Sequence, residues 1–543
     1  MTGRPTARLR RAWQRLGGWR LFALVTGAVL GAPIVVTAAA WLFPDHEVWN
    51  HLASTLLPEI LRNTVILVFG VGSLVMVIGV GLAWLTAVCE FPGRRIFDWA
   101  LMLPLAVPTY VLAFVFVGMF EFAGPVQSAL RDLFGPDIWF PNIRSAPGVV
   151  LVMALVLYPY VYMLSRAAFL AQGRAPLEAA RVQGLSPTAA FFRVALPMAR
   201  PAIAAGTALA LMETLADFGA VSIFNFQTFT TAIYRAWYGY QSLEAAAQLS
   251  ALLLLIVLSG LWLERRARGR ARFDQRTHDR LERIRLRGWK RWGATAAAGS
   301  VLFLGFLLPA TQLVIWAWGR LDVLDPGYYS LILNTLTLGG IAAVVTVSVA
   351  LLLAYGRRVQ TDPITQRAVT AATLGYAMPG SVLAVGIMLS FTWIDHGLAW
   401  LAAPWGGLGS TFLAGSVGAL ILAYVVRFMA VGYGAVDSSL ERIRPVLRDA
   451  ARSLGAGERE VIRRVYIPML RPGILTGILL VGVDVMKEMP ATLLMRPFGW
   501  DTLALRIFEL TVEGHWERAA VPAITLVVVG LIPVILLVVR SSR

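Results

Sequence analysis

The chain has 543 residues, of which 58% are hydrophobic and 15% are charged, with a mean hydropathy of +0.69. A soluble domain must cover itself with more polar surface, so this composition excludes a soluble globular protein and favours one embedded in a bilayer. The formal net charge is +17. Because no basic domain interleaved with aromatic residues accompanies it, we expect no nucleic acid partner.

Apolar runs of about 20 residues, the length that about 30 Å of hydrocarbon requires of a helix, recur along the chain. The first is longer than the apolar part of a secretory signal, so we expect an uncleaved helix. The predicted fold is an all-α polytopic membrane protein with lipid around it. Its twelve predicted spans are 21–43, 64–89, 97–122, 148–170, 202–224, 244–263, 294–318, 331–355, 368–394, 411–434, 473–495 and 518–540.

Positive charge orients the predicted spans. Arginines collect in the N-terminal tail, at 94–95, at 357–358 and in the run 264–291, which all fall on one side if the spans alternate. Short loops rich in Arg and Lys stay in the cytoplasm, so both termini are predicted to be cytoplasmic. Cys89 is the single cysteine, so the chain can form no internal disulfide.

An internal repeat organises the sequence. At a constant offset of 271 positions, Asn63-Thr64 matches Asn334-Thr335, and Arg200-Pro201 matches Arg471-Pro472. We therefore predict a first unit at 1–272, a basic cytoplasmic linker at 273–284 and a second unit at 285–543. Each unit holds six predicted spans, so both have the same orientation. Such parallel repeats are typical of transporters, with a pathway between the halves.

A charged segment lies between the fourth and fifth predicted spans of each unit, at 178–197 and 449–468. Each has an acidic residue, two alanines, a glycine four residues later and a Val-x-Leu-Pro or Val-x-Ile-Pro ending. The pattern predicts a short helix, a glycine turn, a second short helix and a proline that ends it before the membrane. The small alanines leave a shallow docking surface. The residues concerned are Glu178, Ala179, Ala180, Gly184 and Pro197, and Asp449, Ala450, Ala451, Gly455 and Pro468.

Both segments resemble the EAA loop of ATP-binding-cassette importer permeases, and we call them the first and second EAA segments. The resemblance implies that the residues above couple the permease to two copies of a cytoplasmic ATP-binding subunit, and that a periplasmic substrate-binding protein delivers the substrate. ATP and Mg would be used by that ATPase, with no cofactor bound by this chain. The only lysines, Lys290 and Lys487, follow Trp289 and Met486, so the chain has no phosphate-binding loop and is not expected to be an enzyme.

The whole chain, including its duplication, resembles fused ferric-iron importer permeases of the bacterial inner membrane. The stretches 215–239 and 484–510 carry the resemblance most clearly. It implies ferric iron as substrate, a ferric-iron-binding periplasmic partner docking near 225–241 and 496–516, and alternating access. Similar permeases import thiamine, polyamines, sulfate or molybdate, and these substrates stay open.

Acidic residues recur inside the predicted spans. Glu213 and Asp217 are four residues apart, as are their repeat mates Asp484 and Glu488, so each pair is predicted to share a helical face. Carboxylates in a membrane commonly face a cavity, a partner or a pathway. These acids are candidates for a cation pathway, although Lys487 could neutralise one of them, and Asp217 and Glu488 could simply anchor loops.

Two other classes of protein share some of these features. An ion-gradient-driven secondary transporter could share the duplication and the acids, but it would not need paired EAA segments. A membrane-embedded enzyme is disfavoured because the spans contain no HExxH-type metal motif and no paired histidines.

Overall fold

The computed structural model describes residues 17–42, 46–173, 175–268, 283–320, 324–402, 413–444 and 446–541. The N-terminal basic tail and most of the predicted linker at 273–284 lie outside the described residues. Within them the chain is almost entirely helical, as predicted. Two residues at Cys89–Glu90 (β1) pair in parallel with Ile284–Arg285 (β2), at the end of the predicted linker.

The first half of the chain contains thirteen of the described α-helices. They are α1 Gly18–Ala38, α2 His46–Thr55, α3 Leu57–Val88, α4 Arg94–Ala100, α5 Thr109–Phe120, α6 Pro125–Phe134, α7 Ala146–Ala171, α8 Ala175–Val182, α9 Pro187–Ala190, α10 Leu196–Ala216, α11 Gly219–Ile223, α12 Phe229–Tyr234 and α13 Leu243–Arg268. Short 3₁₀ helices lie at Ala39–Leu42 and Leu103–Ala106, and π turns at Phe191–Ala195 and Arg235–Gly239.

The second half repeats most of this order. Its α-helices are α14 Trp289–Leu302, α15 Leu308–Trp318, α16 Pro326–Val359, α17 Pro363–Thr373, α18 Gly380–Ala402, α19 Val417–Glu441, α20 Val446–Ser453, α21 Glu458–Val461, α22 Ile467–Lys487, α23 Pro490–Met495, α24 Leu503–Val512 and α25 Trp516–Ser541. A 3₁₀ helix lies at Leu374–Ala377, and π turns lie at Phe303–Leu307 and Ile462–Tyr466.

The bounds of the elements confirm the offset read from the sequence. Helices α8, α9 and α10 and the π turn at Phe191–Ala195 have counterparts α20, α21 and α22 and the π turn at Ile462–Tyr466, and every bound is shifted by 271. The 3₁₀ helices at Leu103–Ala106 and Leu374–Ala377 keep the same offset. The duplication is therefore structural down to single turns.

Eleven helical stretches among the described residues are long and apolar enough to cross a membrane. They correspond to the first eleven predicted spans. The twelfth prediction, 518–540, falls in α25, whose side chains beyond Leu531 lie outside the described residues.

Four of the predicted spans are not continuous helices. The predictions at 97–122 and 368–394 are each interrupted by a 3₁₀ helix, after which a new helix starts at Thr109 or Gly380. Pro108 and Pro379 each separate two helices, because the residue before a proline is driven to an extended conformation, as Val107 is with φ −95° and ψ 122°.

The predictions at 202–224 and 473–495 are interrupted as well. Helix α10 ends at Ala216 and α22 ends at Lys487, and the next residues, Asp217 and Glu488, have extended ψ angles of 131° and 111°. Asp217 therefore does not share a helical face with Glu213, and Glu488 does not share one with Asp484. The prediction of shared faces was wrong because it assumed that the helices continue.

The chain forms two compact units that do not coincide with the two predicted repeat units. One consists of Met1–Pro44, Leu324–Leu505 and Ile532–Arg543, and the other of Asp45–Val323 and Arg506–Leu531. Each unit thus includes the first long helix of the other repeat: α1 packs on α17, α18 and α16, and α14 packs beside α4. The predicted repeat boundaries describe the sequence and stay a prediction.

The spans α3, α7 and α10 pack closely in one unit. A side-chain carbon on Gly79 of α3 would lie 2.7 Å from Cβ of Val161 in α7, and one on Gly206 of α10 would lie 2.7 Å from the Cα of the same valine. Only glycine lets the backbones approach so closely. The three helices consequently form a tight core to which the first EAA segment is attached.

Candidate functional site

The first EAA segment turns at Gly184. Helix α8 ends at Val182, Gly184 has a φ of +78°, and the N–H of Leu185 donates to the carbonyl of Ala180 at 3.0 Å. A left-handed glycine with this hydrogen bond is the Schellman ending of a helix, in which a side chain would be strained. The predicted glycine turn is therefore confirmed, and it is a helix C-terminus that requires a left-handed residue.

The second EAA segment has the same turn. Gly455 has a φ of +86°, and the N–H of Ala456 donates to the carbonyl of Ala451 at 3.1 Å. A side-chain carbon at Gly184 or Gly455 would meet nothing within 4 Å. The left-handed backbone, and not a close neighbour within the chain, is therefore what requires glycine at both positions.

The remaining EAA residues divide between an outer and an inner surface. Glu178, Ala179, Asp449 and Ala450 are exposed, whereas Ala180 is buried at 3% exposure. Its small side chain permits packing within the chain, so it is not part of a docking surface. Ala451, its mate, is partly buried.

Exposed apolar side chains lie beside these turns. Val182 and Leu454 are each 89% exposed, and Val446, at the start of α20, is 69% exposed. No residue of α20 is buried. Apolar side chains concentrated on a surface mark a place where another protein or a membrane docks.

Pro197 and Pro468 do not end the second short helix, contrary to the prediction. The chain continues as one helical stretch from Thr188 to Ala216, and from Arg459 to Lys487 in the second half. A proline lacks the N–H that would bond four residues back, and its ring collides with that carbonyl. The π turn just before each proline widens the helix, with Leu196 and Ile467 donating five residues back to Phe191 and Ile462, and so admits it.

Asp217 occupies the break between α10 and α11. Its carboxylate accepts a hydrogen bond of 2.5 Å from the hydroxyl of Thr109 and bonds of 2.9 and 3.2 Å from the N–H groups of Ala220 and Val221. The side chain is buried, at 9% exposure. These bonds connect the break after α10 to the start of α5, so Asp217 anchors a loop in this structure.

Glu488 occupies the equivalent break between α22 and α23. Its carboxylate forms an ion pair of 2.9 Å with Arg427 of α19 and accepts from the N–H of Ala491 at 3.2 Å. Arg427 also donates to the carbonyl of Met378 at 2.8 Å, just before α18. In the second half, Arg427 therefore connects the break after α22 to the break before α18.

The other acids of the predicted pathway lie within α10 and α22. Glu213 and Asp484 are partly buried one turn before the breaks, and Lys487 is partly buried at the end of α22. A role for Glu213, Asp217, Asp484, Lys487 and Glu488 in contacting substrate stays a prediction. Within the described ranges, no three His, Cys, Asp or Glu side chains are grouped to hold a metal ion.

A cavity lies in the stretch predicted to contact the binding protein. It has a volume of about 270 Å³ and is lined by residues that include Asn225, Gln227, Thr231, Tyr234 and Arg235. Asn225 adopts a φ of +53°, and the π turn at Arg235–Gly239 presents Tyr238, 49% exposed, beside it. Its lining combines these polar side chains with the apolar side chains of Phe218, Val221 and Phe226.

Comparison with known proteins identifies the family. Residues 77–272 match the family described as "Binding-protein-dependent transport system inner membrane component". The chain is also 31% identical, over 36% of its length, to a molybdenum transport system permease of Escherichia coli K12, and it covers 87% of that protein. The chain belongs to the binding-protein-dependent transport permeases. It is therefore a multi-pass inner-membrane permease of an ATP-binding-cassette importer.

Two longer relatives match both halves of the permease. It is 27% identical to an Fe(3+)-transport system permease of Haemophilus influenzae, over 88% of this chain and 89% of that one. It is 26% identical to a probable ABC transporter permease of Sinorhizobium fredii, over 99% of this chain and 93% of that one. The two-unit arrangement inferred from the sequence is consistent with these long matches.

Sequence reasoning missed the residues that fix the breaks. These residues are Thr109 and Arg427, of which Arg427 carries a usable signal because it is a charged residue inside a predicted span. Thr109 carries no comparable signal, because a threonine beside a proline is common in any helix start.

Proposed function

We propose that the permease imports ferric iron, working with two copies of a separate cytoplasmic ATPase and a periplasmic ferric-iron-binding protein. The observation that carries the importer mechanism is the pair of EAA segments, which have the same Schellman turn at the repeat-related Gly184 and Gly455, with an exposed apolar side chain beside each turn. Two equivalent docking surfaces suit two copies of one ATPase. Both termini would then be cytoplasmic, on the side of the EAA segments.

Iron is favoured among the substrates by the extent of similarity. The Fe(3+)-transport permease aligns over 88% of this chain, whereas the molybdenum permease aligns over 36%. Glu213, partly buried one turn before the end of α10, adds a carboxylate to the proposed pathway. Ferric iron prefers oxygen ligands such as carboxylates.

The alternating-access mechanism follows from the continuity of each EAA segment with a span. ATP binding closes the ATPase subunits, α8 and α20 are displaced, and α10 and α22 move with them, because packed helices shift as units. The binding protein would release iron at the cavity near Arg235 and at the equivalent loops at 496–516.

An oxyanion is the second candidate substrate. It is supported by the 31% identity to the molybdenum permease and by the positive charge of Lys487 at the second break. Thiamine and polyamine are further alternatives, which no contact among the described residues favours.

The deciding experiment measures uptake of radiolabelled ferric iron by cells that lack their own high-affinity system. The cells express the permease with its ATPase and binding protein, and the comparison is the Gly184→Val/Gly455→Val double variant. Uptake by the wild type that is lost in the variant supports both the substrate and the EAA assignment. If the wild type moves no iron but its ATPase responds to a binding protein loaded with molybdate, the substrate proposal is wrong.

A further inference from the structure

The helical connection between each EAA segment and its span contains a weak point. The π turns at Phe191–Ala195 and Ile462–Tyr466 are followed, after one residue, by Pro197 and Pro468. A π turn interrupts the regular hydrogen-bond ladder of an α-helix, and the proline removes one more N–H donor from it. A displacement of α8 or α20 would bend the helix here unless a neighbouring element braces it.

In the first half, aromatic rings brace the π turn. The ring of Phe191 lies 4.8 Å from that of Trp84, and Trp84 lies 5.4 Å from Phe169 of α7. Trp84 is on α3, one turn before that span ends. The side-chain amide of Gln172 also donates to the carbonyl of Ala195 at 3.1 Å. We call the pair Trp84 and Phe191 the first joint.

In the second half, a ring at the other end of the π turn makes the corresponding contact. Tyr466, the last residue of the π turn, lies 5.1 Å from Tyr355 of α16, and Tyr355 lies 5.0 Å from Trp19 of α1. Tyr355 is the repeat mate of Trp84, at the offset of 271. Both tyrosines are buried, at 2% and 1% exposure. We call the pair Tyr355 and Tyr466 the second joint.

A polar contact also fixes the second joint to α19. The guanidinium of Arg358 donates to the carbonyls of Leu440 and Ile443, at the end of that helix. The Cζ atom of Arg358 lies 5.9 Å from the centre of the Tyr466 ring. Each half therefore braces its π turn with three rings, to which the second half adds the contact of Arg358 and the first half adds the amide of Gln172.

We infer that Trp84 and Tyr355 are positioning residues, which make α3 and α16 move together with the EAA segments. The ring pairs fill the space beside each widened turn, so the helix does not bend there. A displacement of α8 then moves α10 and α3 together, and a displacement of α20 moves α22 and α16 together. Two halves that have diverged in sequence keep an aromatic contact at this place. The inference rests on the proposed function, because it needs an ATPase that acts on the EAA segments.

The test uses the complete complex in lipid nanodiscs. The variants are Trp84→Leu, Tyr355→Leu and their combination, with Trp84→Phe and Tyr355→Phe as conservative replacements that retain a ring. Phe69→Leu and Tyr329→Leu are the controls, because Phe69 and Tyr329 lie on the same helices, α3 and α16, at 73% and 63% exposure. Two quantities are measured: the ATPase subunit that copurifies, and the ratio of ATPase rates with and without binding protein loaded with ferric iron.

We expect the double leucine variant to copurify with normal amounts of ATPase and to keep its basal rate, while the stimulation ratio falls at least about fivefold, the lower range of coupling between two sites. The phenylalanine variants and the controls should keep the ratio. A purely structural role would lower copurification and basal rate together.

Three results would contradict the inference. They are an unchanged ratio in the double leucine variant, a loss of assembled complex in the leucine variants that the phenylalanine variants share, and an equal fall of the ratio in the two controls. A wild-type complex whose ATPase ignores binding proteins loaded with ferric iron, molybdate, thiamine or a polyamine would refute the proposed function, and the inference with it. If the ATPase is stimulated by a binding protein loaded with a substrate other than iron, the substrate proposal is wrong. The same variants then test the inference with that substrate.

Discussion

The two halves of the permease fix the same pair of helix breaks with different chemistry. In the first half, Thr109 donates directly to Asp217. In the second half, position 109 corresponds to Gly380, the acid is the longer Glu488, and Arg427 stands where the first half has a valine. A side-chain carbon on Gly380 would lie 2.3 Å from Oε1 of Glu488.

This difference teaches that the fold retains the position of the acceptor and not the identity of its donor. The longer carboxylate occupies the space that a residue at 380 would need, and a hydrogen bond is replaced by a buried ion pair. Helix breaks leave backbone groups that must be satisfied in a membrane, and in both halves the carboxylate accepts from a backbone N–H three residues on. The predictions below test how far the two halves are equivalent.

The largest effect is expected from the turns of the EAA segments, where the halves are most alike. Gly184→Val and Gly455→Val place a branched side chain on a left-handed backbone. We expect the double variant to lose more than about tenfold in transport activity, of which each single variant accounts for a part. Substrate uptake and the amount of permease in the membrane are measured together.

Gly457→Val is the matched control, because Gly457 is exposed, has no neighbour within 4 Å of an added side-chain carbon and does not have a positive φ. Normal uptake by the double variant would show that the turns are not needed.

Removing Arg427 should cost the second half the most stability. Arg427→Met leaves the buried carboxylate of Glu488 without its ion-pair partner, which typically costs about 3–5 kcal/mol. This loss of stability is measured as a fall in the thermal unfolding midpoint of the permease in detergent. The control is Arg320→Met, which breaks the exposed ion pair with Glu517 and should cost at most about 1 kcal/mol. Equal shifts for the two variants would contradict the importance of the buried pair.

A smaller loss is expected when the space beside Glu488 is filled. Gly380→Ala forces the carboxylate away from its position between Arg427 and Ala491, and overpacking of this kind costs about 1–3 kcal/mol. Thermal unfolding is the measurement, and Gly340→Ala is the control variant. A side-chain carbon on that glycine of α16 meets nothing within 4 Å. Equal unfolding midpoints for Gly380→Ala and Gly340→Ala would contradict the close approach of the Glu488 carboxylate to Gly380.

The smallest effect is expected in the first half. Thr109→Val removes one donor from Asp217, which keeps the N–H groups of Ala220 and Val221, so the expected cost is about 1 kcal/mol. Thr214→Val is the control, since its hydroxyl donates to the carbonyl of Ala210 in its own helix. A loss as large as that of Arg427→Met would mean that the threonine contributes more than one hydrogen bond.

The sequence by itself determined the spans, the duplication and both EAA segments. Apolar runs, glycine positions and a constant offset are local or periodic features, and a helix in a bilayer must satisfy its backbone within itself. Gly184 and Gly455 could be predicted because a left-handed turn favours one residue type.

Only the tertiary structure decided where the helices break, how the breaks are connected and which long helix belongs to which compact unit. Thr109 and Asp217 are 108 residues apart, and Trp84 and Phe191 meet only when three spans pack. Pro197 reads as a helix end in sequence, yet it is accommodated by a π turn. Such contacts depend on which side chains fill the space between helices, and no periodic pattern along one chain segment encodes that choice.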